Sequence, residues 1–163
     1  MPCLCALTSA LSGRHTLAEE WGGRTAPGRE TSTTWEWSAC GEDRSQFMAA
    51  EDELAAYVGA VLPRLVEVGS TGALLWCFAD YREDLWDRRP CEPDGARDER
   101  HFGLVRPDGT LKPHAEFVKR SARSRLQILV PARKVELDVS PDEYYRNPAS
   151  NARRLSEQYL TGG

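Results

Sequence analysis

The most regular stretch of the chain is residues 49–69. Leu54, Val58, Val61, Leu62 and Leu65 form an apolar stripe at helical spacing. Glu51, Asp52 and Glu53 fall in the first turn, where acidic side chains suit the positive end of the helix dipole. Gly69 is a natural stop. Pro63 runs against the pattern, because it lacks a backbone donor and should kink or shorten the helix. A second pattern follows in "TGALLWCFADY", residues 71–81. Ala73–Ala79 is continuously apolar, and Trp76, Phe78 and Tyr81 favour a strand. A run without alternation is the mark of a strand covered on both faces, as in parallel sheets.

The rest of the chain is organised around these two elements. "MPCLCALTSALSG" reads as a short helix ending at Gly13; it lacks the basic start of a signal peptide. "HTLAEEWGG", residues 15–23, is a short strand candidate that ends in adjacent carboxylates. Neighbouring side chains of a strand point to opposite faces, so Glu19 and Glu20 should not share a role. Residues 23–46 are rich in Gly, Pro, Ser and Thr and read as a long loop carrying "TTWEWSACGE". Residues 82–101 read as a charged loop with Pro90 and Pro93. "FGLVRPDGTLKPHAEFVKRSA" predicts an extended arm, a Pro-Asp-Gly turn and a helix opened by Pro113, with Phe117 and Val118 as its apolar contact. In the tail, "LQILV" and "KVELDV" read as extended. Ser140 and Glu143 form a capping-box signature, and a last helix covers about residues 148–160.

Helix, strand, loop, helix, strand, loop, helix is the order of a parallel α/β architecture. The long loops follow the C-terminal ends of both strands, where barrel enzymes carry their active sites. An eight-stranded barrel needs about 250 residues, and this chain has 163. The expected fold is therefore the C-terminal portion of a (β/α)8 barrel, strands 7 and 8 with flanking helices, over residues 1–122, with an extension over 123–163.

Composition narrows the chemistry. Apolar residues make up 40% and charged residues 28%, enough for a real core. The formal net charge of −4 and the lack of a basic stripe argue against nucleic acid. No apolar run approaches the roughly 20 residues of a membrane helix. Cys3, Cys5, Cys40, Cys77 and Cys91 cannot all pair, and their spacing matches no zinc pattern. Cys77, inside an apolar run, reads as a small buried hydrophobe. No metal or cofactor is expected, and a cytoplasmic location is favoured.

"LAEEWG" resembles the seventh-strand signature of retaining glycoside hydrolases of the cellulase-like clan, especially family 5. "GALLWCFADY" resembles their eighth strand, and "ERHFGLVRPDGTLKPHA" the segment leading into the last helix. The three blocks come in the family's order over roughly residues 2–122. The resemblance implies hydrolysis of β-linked oligo- or polysaccharide, mannanase- or cellulase-like. It makes Glu20 the nucleophile and Trp76 the platform under the sugar next to the cleaved bond, with Asp80 and Trp21 as further sugar contacts. Glu19 is then a structural neighbour. Trp35, Trp37 and Trp86 line the cleft or pin the loops, and Arg100 and His101 are within reach of it.

Retaining hydrolysis needs two carboxyl groups about 5–5.5 Å apart. The family's acid/base is the Glu of an Asn-Glu pair on the fourth strand. That strand would precede Met1, and the chain contains no Asn-Glu dipeptide; Glu83 and Glu99 lie in the right loop region without a motif of their own. The expectation is a fragment that carries the nucleophile and does not hydrolyse glycosides alone. The competing expectation is a non-catalytic carbohydrate-binding or remnant barrel domain that another chain completes, or that self-associates through exposed barrel edges.

Overall fold

The computed structural model describes residues 1–39, 41–86, 97–124 and 135–161. It shows a mixed α/β protein with two small sheets. In chain order the elements are α1 (Pro2–Ser12), β1 (Leu17–Trp21), β2 (Thr33–Ala39), β3 (Glu42–Met48), α2 (Glu51–Glu67), β4 (Gly72–Leu75), α3 (Pro113–Arg123), α4 (Pro141–Arg146) and α5 (Pro148–Thr161). Two short 3-10 turns, Glu83–Leu85 and Arg97–His101, lie between β4 and α3. No described helix is long and apolar enough to cross a membrane.

β1 and β4 pair with each other. Thr71 N–H donates to Thr16 O at 2.8 Å and Trp76 N–H to Trp21 O at 3.0 Å. Both partners advance together along the chain, so the strands are parallel. They are joined through α2, as a parallel pair requires. β2 and β3 form a separate antiparallel hairpin, with Thr33 opposite Met48 and Ala39 opposite Glu42. Its tight turn includes Gly41 at φ 80°, a left-handed conformation suited to glycine. This hairpin corrects the reading of residues 23–46 as a loop. The alternation on β2 (Thr33, Trp35, Trp37) is real, but β3 is "EDRSQFM", almost wholly polar, and offers no apolar period.

α2 runs where the apolar stripe predicts it. Leu54, Val58, Val61 and Leu65 are buried. Glu53 Oε2 accepts the Ala50 N–H and so caps the helix start. At the other end Ser70 N–H reaches Leu65 O and Gly69 N–H reaches Val66 O, with Gly69 at φ 73°. These two bonds are a Schellman stop. Pro63 does not shorten α2: it sits on the exposed side and the helix continues to Glu67. α1 ends at left-handed Gly13 as read. α3 opens with Pro113, and Ser140 Oγ accepts the Glu143 N–H at the start of α4. "LQILV" lies outside the described residues. Residues 135–139 of "KVELDV" are not a strand.

The strand read over 71–81 is confined to Gly72–Leu75. Beyond it the chain leaves β1 and bonds to residues 102–105: Cys77 N–H to Phe102 O, Leu104 N–H to Phe78 O, and Asp80 N–H to Val105 O. The Trp76–Cys77 peptide bond is cis. The segment is not covered on both faces, since Leu74, Trp76 and Phe78 are 56%, 42% and 76% exposed. Alternation is present in the backbone and masked in the sequence, because both sets of positions are apolar.

The contacts divide the chain into two units. In the first (Met1–Glu19, Val61–Leu74, Leu126–Gly163), α1 packs on α5 around Cys5, Ala6, Leu7 and Leu155. In the second (Glu20–Ala60, Leu75–Arg125), Trp21, Met48, Leu54, Val58 and Ala115 form the core, and the Phe117 ring sits over Gly59. Gly103 is the most closely approached of the described glycines. A Cβ there would collide with the Asp80 nitrogen and lie 2.7 Å from Ala79 Cα, both unyielding backbone. Gly103→Ala is therefore expected to cost at least 1–3 kcal/mol, roughly the range for overpacking, read as a fall in the urea midpoint.

Candidate functional site

The site lies where the chain leaves the C-terminal ends of the parallel pair. β1 ends in Glu19, Glu20 and Trp21, and its neighbour β4 is followed by Trp76. The Trp76 N–H···O Trp21 bond joins the two strand ends. The next residue, Gly22, lies so close that a Cβ on it would come 2.8 Å from Trp76 O.

Glu20 has φ 49°, the one left-handed non-glycine among the described residues. The consequence is visible in the burial of β1. Ala18 is buried, and strict alternation would place Glu20 on the same inward face. The left-handed residue shifts the alternation by one position. Trp21 goes in, at 2% exposure, with its ring 6.3 Å from that of Tyr57, and Glu20 comes out. Both glutamates are exposed. Among the described residues the Glu20 carboxylate has no hydrogen bond or ion pair, so its side chain repays none of the cost of its backbone conformation, and the return to the fold is the burial of Trp21.

Of the four residues singled out from the sequence, Glu20 and Trp76 lie at the open strand ends, and Trp76 is 42% exposed. Trp21 is buried, its indole Nε1 without a hydrogen-bond partner, and it presents no ring face to solvent. Asp80 is buried at 8% and its carboxylate serves protein partners. It accepts the Gly103 N–H at 2.7 Å, and Lys112 Nζ lies 2.8 Å from Oδ1 and 2.7 Å from Oδ2. Lys112 also donates to Thr25 Oγ1 at 2.8 Å and to His101 O at 3.2 Å. Thr25 in turn gives its N–H and its hydroxyl to His101 O. Burial works to raise the Asp80 carboxyl, but the Lys112 ammonium and the Gly103 N–H, which bond it directly, outweigh it and hold it below its ordinary value. Burial holds the Lys112 ammonium below its ordinary value, with Asp80 pulling the other way.

His101 is buried above this network, Nδ1 3.9 Å from Asp80 Oδ2, farther than a hydrogen bond. Trp35 meets its ring edge-on at 5.1 Å and Trp86 at 6.1 Å, and the Arg100 guanidinium lies over Trp86 at 4.6 Å. Trp35 on β2 and Trp86 just after the Glu83–Leu85 turn thus pack against His101. Glu99 lies 3.7 Å from Arg24, and Glu83 is exposed in a 3-10 turn. Lys112 and Thr25 were not legible as a pair. "TLKPHA" places the lysine directly before a helix, but its partners lie 32 and 87 residues away. Among the described residues no cluster of three or more His, Cys, Asp or Glu could hold a metal.

Two expectations follow. Replacing Glu20 by glycine removes the left-handed penalty and no fold contact, so Glu20→Gly is expected to stabilise the protein by about 1 kcal/mol, measured by urea unfolding. The second concerns His114, 1% exposed, whose imidazole burial and then Lys112 push down to about 4 from 6.5. Between those values the unfolded chain binds the proton and the folded one does not. Stability should fall as pH drops from 6.5 to 4, at most by about 1.4 kcal/mol per unit. Asp80, Asp108 and Asp138, all held below 3.8, lose their contribution only at lower pH. His114→Asn should flatten the profile between pH 4 and 6.5, read as urea midpoints across that range.

No protein-family model matches the chain, and no curated protein or solved structure matches it either.

Proposed function

We propose that the chain is the C-terminal portion of a retaining β-glycoside hydrolase barrel. Glu20 is the nucleophile and Trp76 the sugar platform. The observation that carries this reading is the pairing of an exposed, backbone-strained carboxylate with a half-exposed indole just past the end of the adjacent parallel strand, joined by the Trp76–Trp21 bond. A strand tip holds a carboxylate rigidly, and an open indole face suits the C–H face of a pyranose. In the step proposed, a Glu20 oxygen attacks the anomeric carbon and the glycosidic C–O bond breaks. The leaving group departs with the bonding electrons, and water later cleaves the glycosyl ester. Asp80 and Trp21 act as supports, Asp80 through its buried ion pair and Trp21 by packing under the strand end.

An Asn-Glu acid/base is not part of these 163 residues. The chain alone is therefore proposed to accept glycosyl groups only from donors whose leaving group needs no proton. The same fact favours a second reading, a carbohydrate-binding domain without turnover.

A 2,4-dinitrophenyl 2-deoxy-2-fluoro-β-glycoside separates the two readings, because dinitrophenolate leaves unprotonated and the fluorine slows hydrolysis of the ester. Glycosylation mapped by mass spectrometry to Glu20, and lost in Glu20→Gln, is the expected result. Labelling elsewhere refutes the assignment. Oligosaccharide binding that depends on Trp76, with no labelling, selects the binding domain.

A further inference from the structure

We infer that Lys112 is the positioning residue of the site, tying the segment that follows Glu20 to the segment that follows Trp76. The inference rests on the proposed roles of Glu20 and Trp76. Its geometric part stands independently of any activity.

The two segments leave the strand ends side by side. Trp76 N–H to Trp21 O joins them at the start, at 3.0 Å. Farther on, Thr25 belongs to one segment and Asp80 to the other, and a single ammonium bridges them: Lys112 Nζ is 2.8 Å from Thr25 Oγ1 and 2.7–2.8 Å from the Asp80 oxygens. Its remaining contact, with His101 O at 3.2 Å, is to the carbonyl that also takes both hydrogen bonds from Thr25. The Lys112 side chain is 1% exposed and that of Asp80 3%, so neither charge meets substrate. The stretches Gly22–Thr25 and Cys77–Asp80 are thus held at both ends, by a backbone bond and by this bridge.

Stability alone does not call for such a bridge. Taking two charges out of water costs several kcal/mol per ion, and well-packed apolar residues of similar volume often serve as well or better. What the ion pair adds is direction. Three ammonium protons with three fixed acceptors set where Thr25 stands relative to Asp80, and so hold the strand ends carrying Glu20 and Trp76 in one spacing.

Removing Lys112 alone would strand the Asp80 charge and could unfold the protein, so the test uses two milder changes. Lys112→Met with Asp80→Asn removes both charges and keeps an acceptor for the Gly103 N–H. Thr25→Val cuts the tie and leaves the ion pair. Hydrogen exchange is read at the Thr25 and Trp76 amides and at α2 and α3, together with the rate of Glu20 labelling by the fluoroglycoside. Protection at Thr25 and Trp76 is expected to fall about tenfold in the double variant and about threefold in Thr25→Val, roughly the loss of one to two hydrogen bonds. The helices should be unchanged, and labelling should slow by the same factors. Unchanged protection at both amides overturns the inference whether or not any protein is labelled. A loss spread evenly over the helices also overturns it, since that marks a purely structural pair. Absence of labelling in the parent protein, with the local exchange change present, overturns the glycosidase reading and with it the positioning role, and leaves only the tie that Lys112 makes between the two segments.

Discussion

The buried contact between Asp80 and Lys112 organises the end of the molecule where the strands open. It is the meeting point of four stretches of chain: the one after β1 through Thr25, the one after β4 through Asp80, the one before α3 through Lys112, and residues 101–103 through His101 O and the Gly103 N–H. These stretches are joined by single backbone bonds and isolated bridges, such as Thr25 N–H to His101 O and Asp80 N–H to Val105 O, rather than by a long ladder. Each buried polar atom at the meeting point instead finds its partner in another stretch, the condition under which an ion pair can sit in a core. Gly103 completes the arrangement, because only a residue without a side chain lets its N–H come this close to Asp80.

Against that satisfied network, Glu20 stands out. The two acidic residues have similar sequence settings, each closing a mostly apolar stretch near the end of a strand. Asp80 is buried, bonded and held below its ordinary protonation range. Glu20 is exposed, has no partner among the described residues and sits in a backbone region that L-residues avoid. The Asp80 side chain therefore serves the fold, whereas the Glu20 side chain does not. That contrast separates the residues more sharply than strand position does, and it is the reason the catalytic proposal rests on Glu20 alone.

Much of the fold was legible because local rules decided it. The α2 stripe, the Gly69 and Gly13 stops, the Pro113 start and the Ser140 cap each depend on residues within a turn or two of one another. The β2–β3 hairpin was missed because one of its strands has no apolar period, and its pairing is set by backbone register. The open face at Trp76 and Phe78 was missed for the opposite reason, since a run apolar at every position conceals which positions face out. Among the site residues, Glu20 and Trp76 lie exposed at the strand ends. The burial of Asp80 does not follow from its neighbours in sequence, since it depends on a lysine 32 residues further on.

The β1 strand carries the remaining step. Period-two alternation separates Glu19 from Glu20, but taken literally it buries the wrong one, because Ala18 marks the inward face and Glu20 shares its parity. One left-handed residue resolves the conflict. It works as a bulge does, re-aiming a side chain by breaking the count. In the same movement it turns Trp21 inward, so the residue that packs beneath the strand end and the residue that emerges from it are adjacent in the chain. Gly22 then allows the backbone to close against Trp76 O. The sequence Glu-Trp-Gly thus has a physical order: a carboxylate forced outward, an aromatic that fills the space it would have occupied, and a glycine that brings the neighbouring strand within reach.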